Sequence, residues 1–221
     1  MRVAVISDVH CAGPDDPIQR EFVGWLDALD ADGLWLLGDI FHWGWTFAGH
    51  VQAPLQPVVD ALMRAQSRGM HVVFVGGNHD FAVAAALAEA GVEVREAHHR
   101  DLDGRRVFLA HGDEADRSLG YRLTQWVLRG ALFSILLQWL GEGAGSRLLV
   151  RLAGDQKTDL FEESDRRGRD WLRQQLVEGT TLAMCGHFHL ATRETHGEGE
   201  VVTLGAGGSR AVVWIQDGQI L

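Results

Sequence analysis

The chain has 221 residues, 46% of them hydrophobic, which suits one domain with an ordinary buried core. Its 30 acidic and 20 basic residues give a formal net charge of −10, which argues against non-specific nucleic-acid binding. It leaves anionic substrates open, because bound metal ions invert a local field. Two cysteines, Cys11 and Cys185, without a CxxC pair make no disulfide framework and read as small buried thiols. The opening "MRVAVISDVH" is too short an apolar run for a signal peptide, so a reducing, cytoplasmic location is expected. No apolar run reaches the roughly 18 residues of a membrane-spanning helix.

In chain order, "RVAVIS" (2–7) is β-branched and almost continuously apolar, which predicts a strand buried on both faces. "GLWLLGD" (33–39), "HVVFVGG" (71–77), "RVFLAHG" (106–112) and "TLAMCGH" (181–187) repeat the pattern. Between them, residues 55–63 and 81–91 read as helices, the first with Leu55, Val58, Val59, Leu62 and Met63 on one face. Strand–helix alternation predicts an α/β core. Residues 114–178 interrupt the series as a largely helical insertion, or cap, within a single domain spanning 1–221. Residues 200–220, short strands broken by Gly-Gly and Asp-Gly, predict a second, more antiparallel sheet.

Every early strand ends in residues that could bind something. These are Asp8 and His10, then Asp39, then Asn78, His79 and Asp80, then His111, then His187 and His189. In open α/β sheets, ligand sites gather at the carboxyl ends of strands, so five segments are expected to converge on one edge. Carboxylate, imidazole and amide without thiolate suit Mn, Fe or Zn at an open site rather than a closed structural zinc. With His79 and Asp80 set aside, the seven remaining candidates exceed the needs of one ion. Asp39, alone at its strand end, is placed to bridge two ions roughly 3.5–4 Å apart, an arrangement fit for phosphoester or phosphoanhydride hydrolysis.

"DVH" (8–10), "GDI" (38–40), "GNHD" (77–80), "HGD" (111–113) and "GHFH" (186–189), in this order, resemble the calcineurin-like metallophosphoesterases. The resemblance implies a four-layer αββα sandwich and two divalent ions, Mn2+ preferred. It matches Asp8, His10 and His189 to one ion, Asn78, His111 and His187 to the other, and Asp39 to the bridge. His79 matches a transition-state or leaving-group residue that Asp80 would orient. His42, in "GDIFHWGW", reads as a pocket or structural residue.

Within the family, "GDIFHWGW" and "HGDEADRSLGYRLTQWVLRG" are similar to the UDP-2,3-diacylglucosamine pyrophosphatases of lipid A synthesis. That branch places a helical cap where residues 114–178 stand. The implied substrate is an amphipathic nucleotide-lipid, met with possible peripheral membrane contact and no obligate protein partner. Tyr121, Arg147, Arg151 and Lys157 are the candidate substrate contacts. Trp126, Leu132, Phe133, Leu136, Leu137 and Trp139 are candidates for an acyl pocket, because "ALFSILLQWL" (131–140) is apolar around most of a helix. Three departures stand out: the branch usually carries Arg where this chain has His79, "GDD" after the Trp where it has "GWTFAGH", and "GHTHRP" where it has "GHFHLA". A soluble nucleotide or phosphoprotein substrate, or a non-enzymatic scaffold, remain as alternatives.

Overall fold

The computed structural model describes residues 1–153, 161–177, 179–206 and 211–221. The strands are β1 (Arg2–Ile6), β2 (Gly33–Leu37), β3 (Thr46–Phe47), β4 (His50–Val51), β5 (His71–Val75), β6 (Glu93–Arg95), β7 (His98–Leu102), β8 (Arg105–Ala110), β9 (Thr180–Cys185), β10 (Thr192–His196), β11 (Gly199–Thr203), β12 (Val213–Gln216) and β13 (Gln219–Ile220). The helices are α1 (Pro17–Ala28), α2 (Gln56–Ser67), α3 (Ala84–Glu89), α4 (Leu119–Leu128), α5 (Ala131–Ala153) and α6 (Phe161–Arg173).

Two sheets stack face to face. One runs β13-β12-β1-β2-β5-β6, the other β10-β11-β9-β8-β7. Alternation along the strands builds the layers, because successive side chains leave opposite faces. Val3 and Val5 of β1, Trp35 and Leu37 of β2, and Val73 and Val75 of β5 meet Val107, Leu109, Leu182 and Met184 between the sheets. The intervening Ala4, Ile6, Leu34, Leu36, Val72 and Phe74 point outward to a second core that includes Phe22 and Leu26 of α1, Leu62 of α2 and Leu87 of α3. On the far sheet, Phe108, Ala183, Cys185 and Val201 pack with Leu172 of α6. Helix, sheet, sheet, helix is the αββα order.

Two expectations are corrected. Residues 200–220 do not make a sheet of their own. β11 joins the second sheet beside β9, whereas β12 returns to the first sheet and pairs antiparallel with β1. β12 and β13 thereby cover an edge that β1 would otherwise expose. The 114–178 segment also divides. α6 supplies the outer layer over the second sheet, because Leu172 must be buried there. α4 and α5 pack on the loops that follow β8 and β2, through Tyr121 on Asp113 and through Leu137 and Leu149 on Trp45. α5 is two helices meeting at Gly141, whose φ of 73° and ψ of 165° break the helical path. It is anchored where Leu137 and Leu149 pack on Trp45, with Phe133 and Leu148 alongside. Lys157 lies outside the described residues.

Candidate metal centre

The five segments expected to converge do so. The parallel strands β1, β2 and β5 end side by side, and β8 and β9 end beside them in the facing sheet. Beyond the strands the chain stays in register: Asp8 N–H donates to Gly38 O at 3.1 Å and His10 N–H to Asp39 O at 3.0 Å. Ser7, which the motifs did not single out, donates its hydroxyl to Leu37 O at 2.7 Å and fastens β1 to β2 just before the ligands begin.

The backbone there is unusual. Asp8, His10, Asp39, His187 and His189 all have positive φ, between 53° and 71°. Such conformations cost L-residues free energy and concentrate at functional sites. Two glycines let the segments approach. A Cβ on Gly186 would overlap Ser7 Oγ, and one on Gly77 would overlap Asp39 Oδ1. Any side chain at either position would force a neighbouring side chain or backbone to move.

The ligating atoms fall into two groups. Those of Asp8, His10 and His189 lie within 4.8 Å of one another, as do those of Asp39, His111 and His187. Asn78 Oδ1 is 3.1 Å from His111 Nε2, which adds the amide to the second group. His111 Nδ1–H donates to Leu37 O at 2.8 Å, which leaves Nε2 as the ring nitrogen turned toward the site. Asp39 Oδ1 accepts from His79 N–H at 2.9 Å, while Oδ2 lies 3.5 Å from His111 Nε2. Asp8 Oδ2 accepts from His187 N–H at 2.9 Å. Asp8 Oδ1, fully buried, lies 3.2 Å from His189 Nε2 and 4.0 Å from His10 Nε2, so one carboxylate oxygen and two imidazole nitrogens face one another.

Charge in this pocket agrees with metal binding. Burial pushes His10 and His187 down to about 4, so both are neutral ligands near pH 7. Burial alone would raise Asp8 and Asp39, but the surrounding histidines hold both carboxyls below the ordinary range. For His111, Asp39 and Asp8 overcome burial and raise it well above its ordinary value. Two buried carboxylates thus demand a cation, and a divalent ion meets that demand better than a proton.

His79 is buried, with Trp43 tilted over its ring at 4.3 Å between centroids. Its Nδ1–H donates to His42 O at 2.7 Å, so the His42 carbonyl orients it. Asp80 does not, contrary to the role the motif implied. Its Oδ1 accepts from Gly77 N–H at 2.8 Å, and its Oδ2 from Ile40 N–H at 2.7 Å and Phe41 N–H at 3.3 Å. A carboxylate so occupied ties the β2 and β5 loops together. Burial and the charge on Asp39 push it up to about 7.

Tyr121 donates its hydroxyl to Asp113 Oδ2 at 2.7 Å, and Arg129 Nη2 lies 3.4 Å from the same oxygen. Asp113 is therefore the joint between the sheet edge and α4. Nothing local in "HGD" signals that role, which depends on a contact with the following helix. Arg147 and Arg151 are exposed on the second half of α5 and line a surface cavity with Leu140, Ala144 and Leu148. The acyl-pocket candidates separate by exposure: Leu137 is 5% exposed, whereas Trp139 is 88%, Leu132 84%, Trp126 74% and Leu136 45%. Phe133 is partly buried beside Trp45.

The chain is 27% identical over 196 residues to a UDP-2,3-diacylglucosamine hydrolase of Pseudomonas putida, covering 85% of this chain and 81% of that one. It is 29% identical over 200 residues to a UDP-2,3-diacylglucosamine hydrolase of Aeromonas salmonicida, covering 86% and 78%. A solved archaeal phosphodiesterase shares the fold at 10% identity, with a TM-score of 0.51 over 100% of this chain and 98% of that one. The family model for calcineurin-like phosphoesterases matches residues 1–204. With two His/Asp clusters at the sheet edge, the chain belongs to the calcineurin-like phosphoesterases as a dinuclear metal-dependent hydrolase.

Proposed function

We propose that this chain hydrolyses the pyrophosphate of a UDP-linked diacylated glucosamine, giving UMP and a diacylglucosamine 1-phosphate. It would work with two Mn2+ ions at the cytoplasmic face of a membrane, in lipid A synthesis. The observation that carries the reading is a dinuclear ligand set roofed by a helical pair whose outer face is apolar. Leu119, Leu123, Trp126, Leu132, Ile135, Leu136 and Trp139 are all exposed there. Contiguous exposure of this kind marks an interaction surface. Residues 117–151 also carry Arg117, Arg122, Arg129, Arg147 and Arg151 against one acid, Glu142, in a chain of net charge −10. Apolar and basic residues together suit acyl chains and anionic headgroups. Among the described residues no helix is long and apolar enough to cross a membrane, so the contact would be peripheral. The names carried by the two curated relatives add support.

Asp8, His10 and His189 would hold one ion, Asn78, His111 and His187 the other, and Asp39 would bridge. When bound, the ions lower the pKa of water and neutralise phosphoryl charge. A water oxygen forms the new bond to phosphorus, the anhydride P–O bond breaks, and the sugar phosphate leaves with that electron pair. His79, held by the His42 carbonyl, presents Nε2 toward the Asp39 side of the site, 3.8 Å from Oδ2. It stabilises charge there or handles the proton. Tyr121 acts through Asp113 to place α4. Arg147, Arg151 and Lys157 meet phosphate or glucosamine.

The test is kcat/KM on the diacylated UDP-sugar, its deacylated form and a small chromogenic phosphodiester. Preference for the diacylated form, reduced by Trp139→Ser and Leu132→Ser, supports the reading. Indifference to acylation makes a soluble phosphodiester the better assignment.

A further inference from the structure

The segment 42–45, between β2 and β3, is gripped from two sides. His42 and Gly44 reach His79: the His42 carbonyl accepts from His79 Nδ1–H at 2.7 Å, and Gly44 N–H donates to His79 O at 3.0 Å. Trp43 and Trp45 reach Gln52 instead. Gln52 Nε2–H donates to Trp43 O at 2.9 Å, and Gln52 Oε1 accepts from Trp45 N–H at 2.8 Å. The carbonyl needs a donor and the N–H an acceptor, so one amide, in one orientation, serves both. Gln52 follows β4 directly and is 5% exposed, a depth at which an unpaired amide would be costly. Its third contact is with α5: Nε2 lies 3.5 Å from Ser146 Oγ, which also accepts from Trp45 Nε1–H at 3.2 Å. Trp43, whose carbonyl Gln52 holds, covers the His79 ring at 4.3 Å between centroids. His79 Nε2 then stands 3.8 Å from Asp39 Oδ2.

We propose that Gln52 is a positioning residue for His79: it clamps the 42–45 segment so that the His42 carbonyl and the Trp43 ring hold the imidazole with Nε2 toward the metal centre. It acts through the backbone of Trp43 and Trp45, not on the substrate. With its two bonds gone, Trp43 O and Trp45 N–H must find other partners, the segment moves, and the His42 carbonyl no longer fixes Nδ1–H. A misplacement of about 1 Å at a reacting group costs about 10²-fold in rate. The positioning role rests on the part in the reaction proposed above for His79.

The experiment compares wild type, Gln52→Met, His79→Ala and the double variant as Mn2+-loaded full chains. The probe is a small chromogenic phosphodiester, so the outcome does not depend on the natural substrate. Gln52→Met keeps the side-chain length and loses both bonds. It lowers kcat by about 10–10²-fold, with KM and bound metal unchanged. Added to His79→Ala it lowers kcat no further, because the effect passes through the missing imidazole. Gln52→Glu gives a second measurement. Protonated, the new carboxyl donates to Trp43 O and accepts from Trp45 N–H as the amide does; ionised, it has no proton to donate. Its rate relative to wild type at the same pH is near one in acid and falls as pH rises, and it does so only while His79 is present. An unchanged kcat in Gln52→Met, an equal loss with and without His79, or a flat ratio for Gln52→Glu overturns the positioning role and leaves Gln52 a loop staple. If Gln52→Met does not fold, the Gln52→Glu ratio decides. A full rate in His79→Ala overturns the role of His79 itself, and the positioning role with it.

Discussion

The strand-end loops and the α4–α5 pair sit one above the other and follow opposite rules. In the loops, polar side chains are buried, the backbone is forced into left-handed conformations, and each carboxylate has assigned neighbours. In the helical pair, many apolar side chains are exposed, and the element is held by Leu137 and Leu149 on Trp45, by the Tyr121–Asp113 hydrogen bond, and by hydrogen bonds of Gln138, Glu142 and Ser146 with residues 45–53. Both arrangements cost stability in isolation. Cation binding explains the cost at the site, and the proposed acylated substrate would explain the cost on the surface. The contrast separates chemistry from substrate selection, so variants in each half should move different observables.

The largest effect is expected from Asp39→Asn. It removes a buried negative charge from the His111–His187 group, one that the proposed bridge would share with the other ion, and turnover should fall by about 10²–10³-fold or more. Metal analysis should show both ions weakened. Full occupancy with full activity would remove the bridge. His79→Ala comes next, with about a 10²-fold loss of kcat while bound metal is unchanged. A parallel loss of metal would instead make it a ligand.

Gly186→Ala tests how tightly the loops are set. Its Cβ would push Ser7 Oγ and stand 2.5 Å from Asp8 Oδ2. Overpacking of this sort costs about 1–3 kcal/mol, so denaturant unfolding should show it, together with reduced metal affinity. Across the comparison, Leu137→Asn should cost a similar amount by leaving a polar group in the Trp45 cluster. Trp139→Ser and Leu132→Ser should change stability by only about 0.5 kcal/mol, while weakening use of an acylated substrate. Equal destabilisation at all three positions would mean that the outer face is packed after all.

The smallest effect is in the second sheet, far from both regions. Glu200 is partly desolvated, but Arg105 at 2.7 Å and Arg193 at 2.7 Å hold its carboxyl below the ordinary value. A depressed folded-state pKa gives stability that is present above the unfolded value of about 4.3 and lost as pH falls through the folded one. Glu200→Gln should therefore cost some tenths of a kcal/mol at pH 7, after solvent screening, and nothing in acid. An unchanged pH profile would show the ion cluster to be inert.

The chemistry was legible because strand periodicity delivers it. Asp8, Asp39, Asn78, His111 and His187 each follow an apolar run, and runs of that kind have one destination in an α/β sheet. The supports were not legible, because they depend on contacts between distant segments. That the His42 carbonyl orients His79, that Asp80 is consumed by three backbone N–H groups, and that Ser7 laces β1 to β2 follow from no local pattern. The split within 114–178 escaped for the same reason. A helix that covers a sheet and a helix that roofs a site can be equally apolar, and only Leu172 beneath one and Trp45 beneath the other tell them apart.

The left-handed backbone at the ligands has a consequence for protein engineering. An L-residue in that conformation costs about 1–2 kcal/mol, and glycine gives back about 0.5–1 kcal/mol of this through its greater chain entropy. His10→Gly and His189→Gly, at φ of 56° and 60°, would then leave a metal-free fold as durable as the parent or more so while abolishing catalysis. Selection of this chain for heat resistance alone would drift toward glycine at these positions, and the surviving clones would be robust and inert.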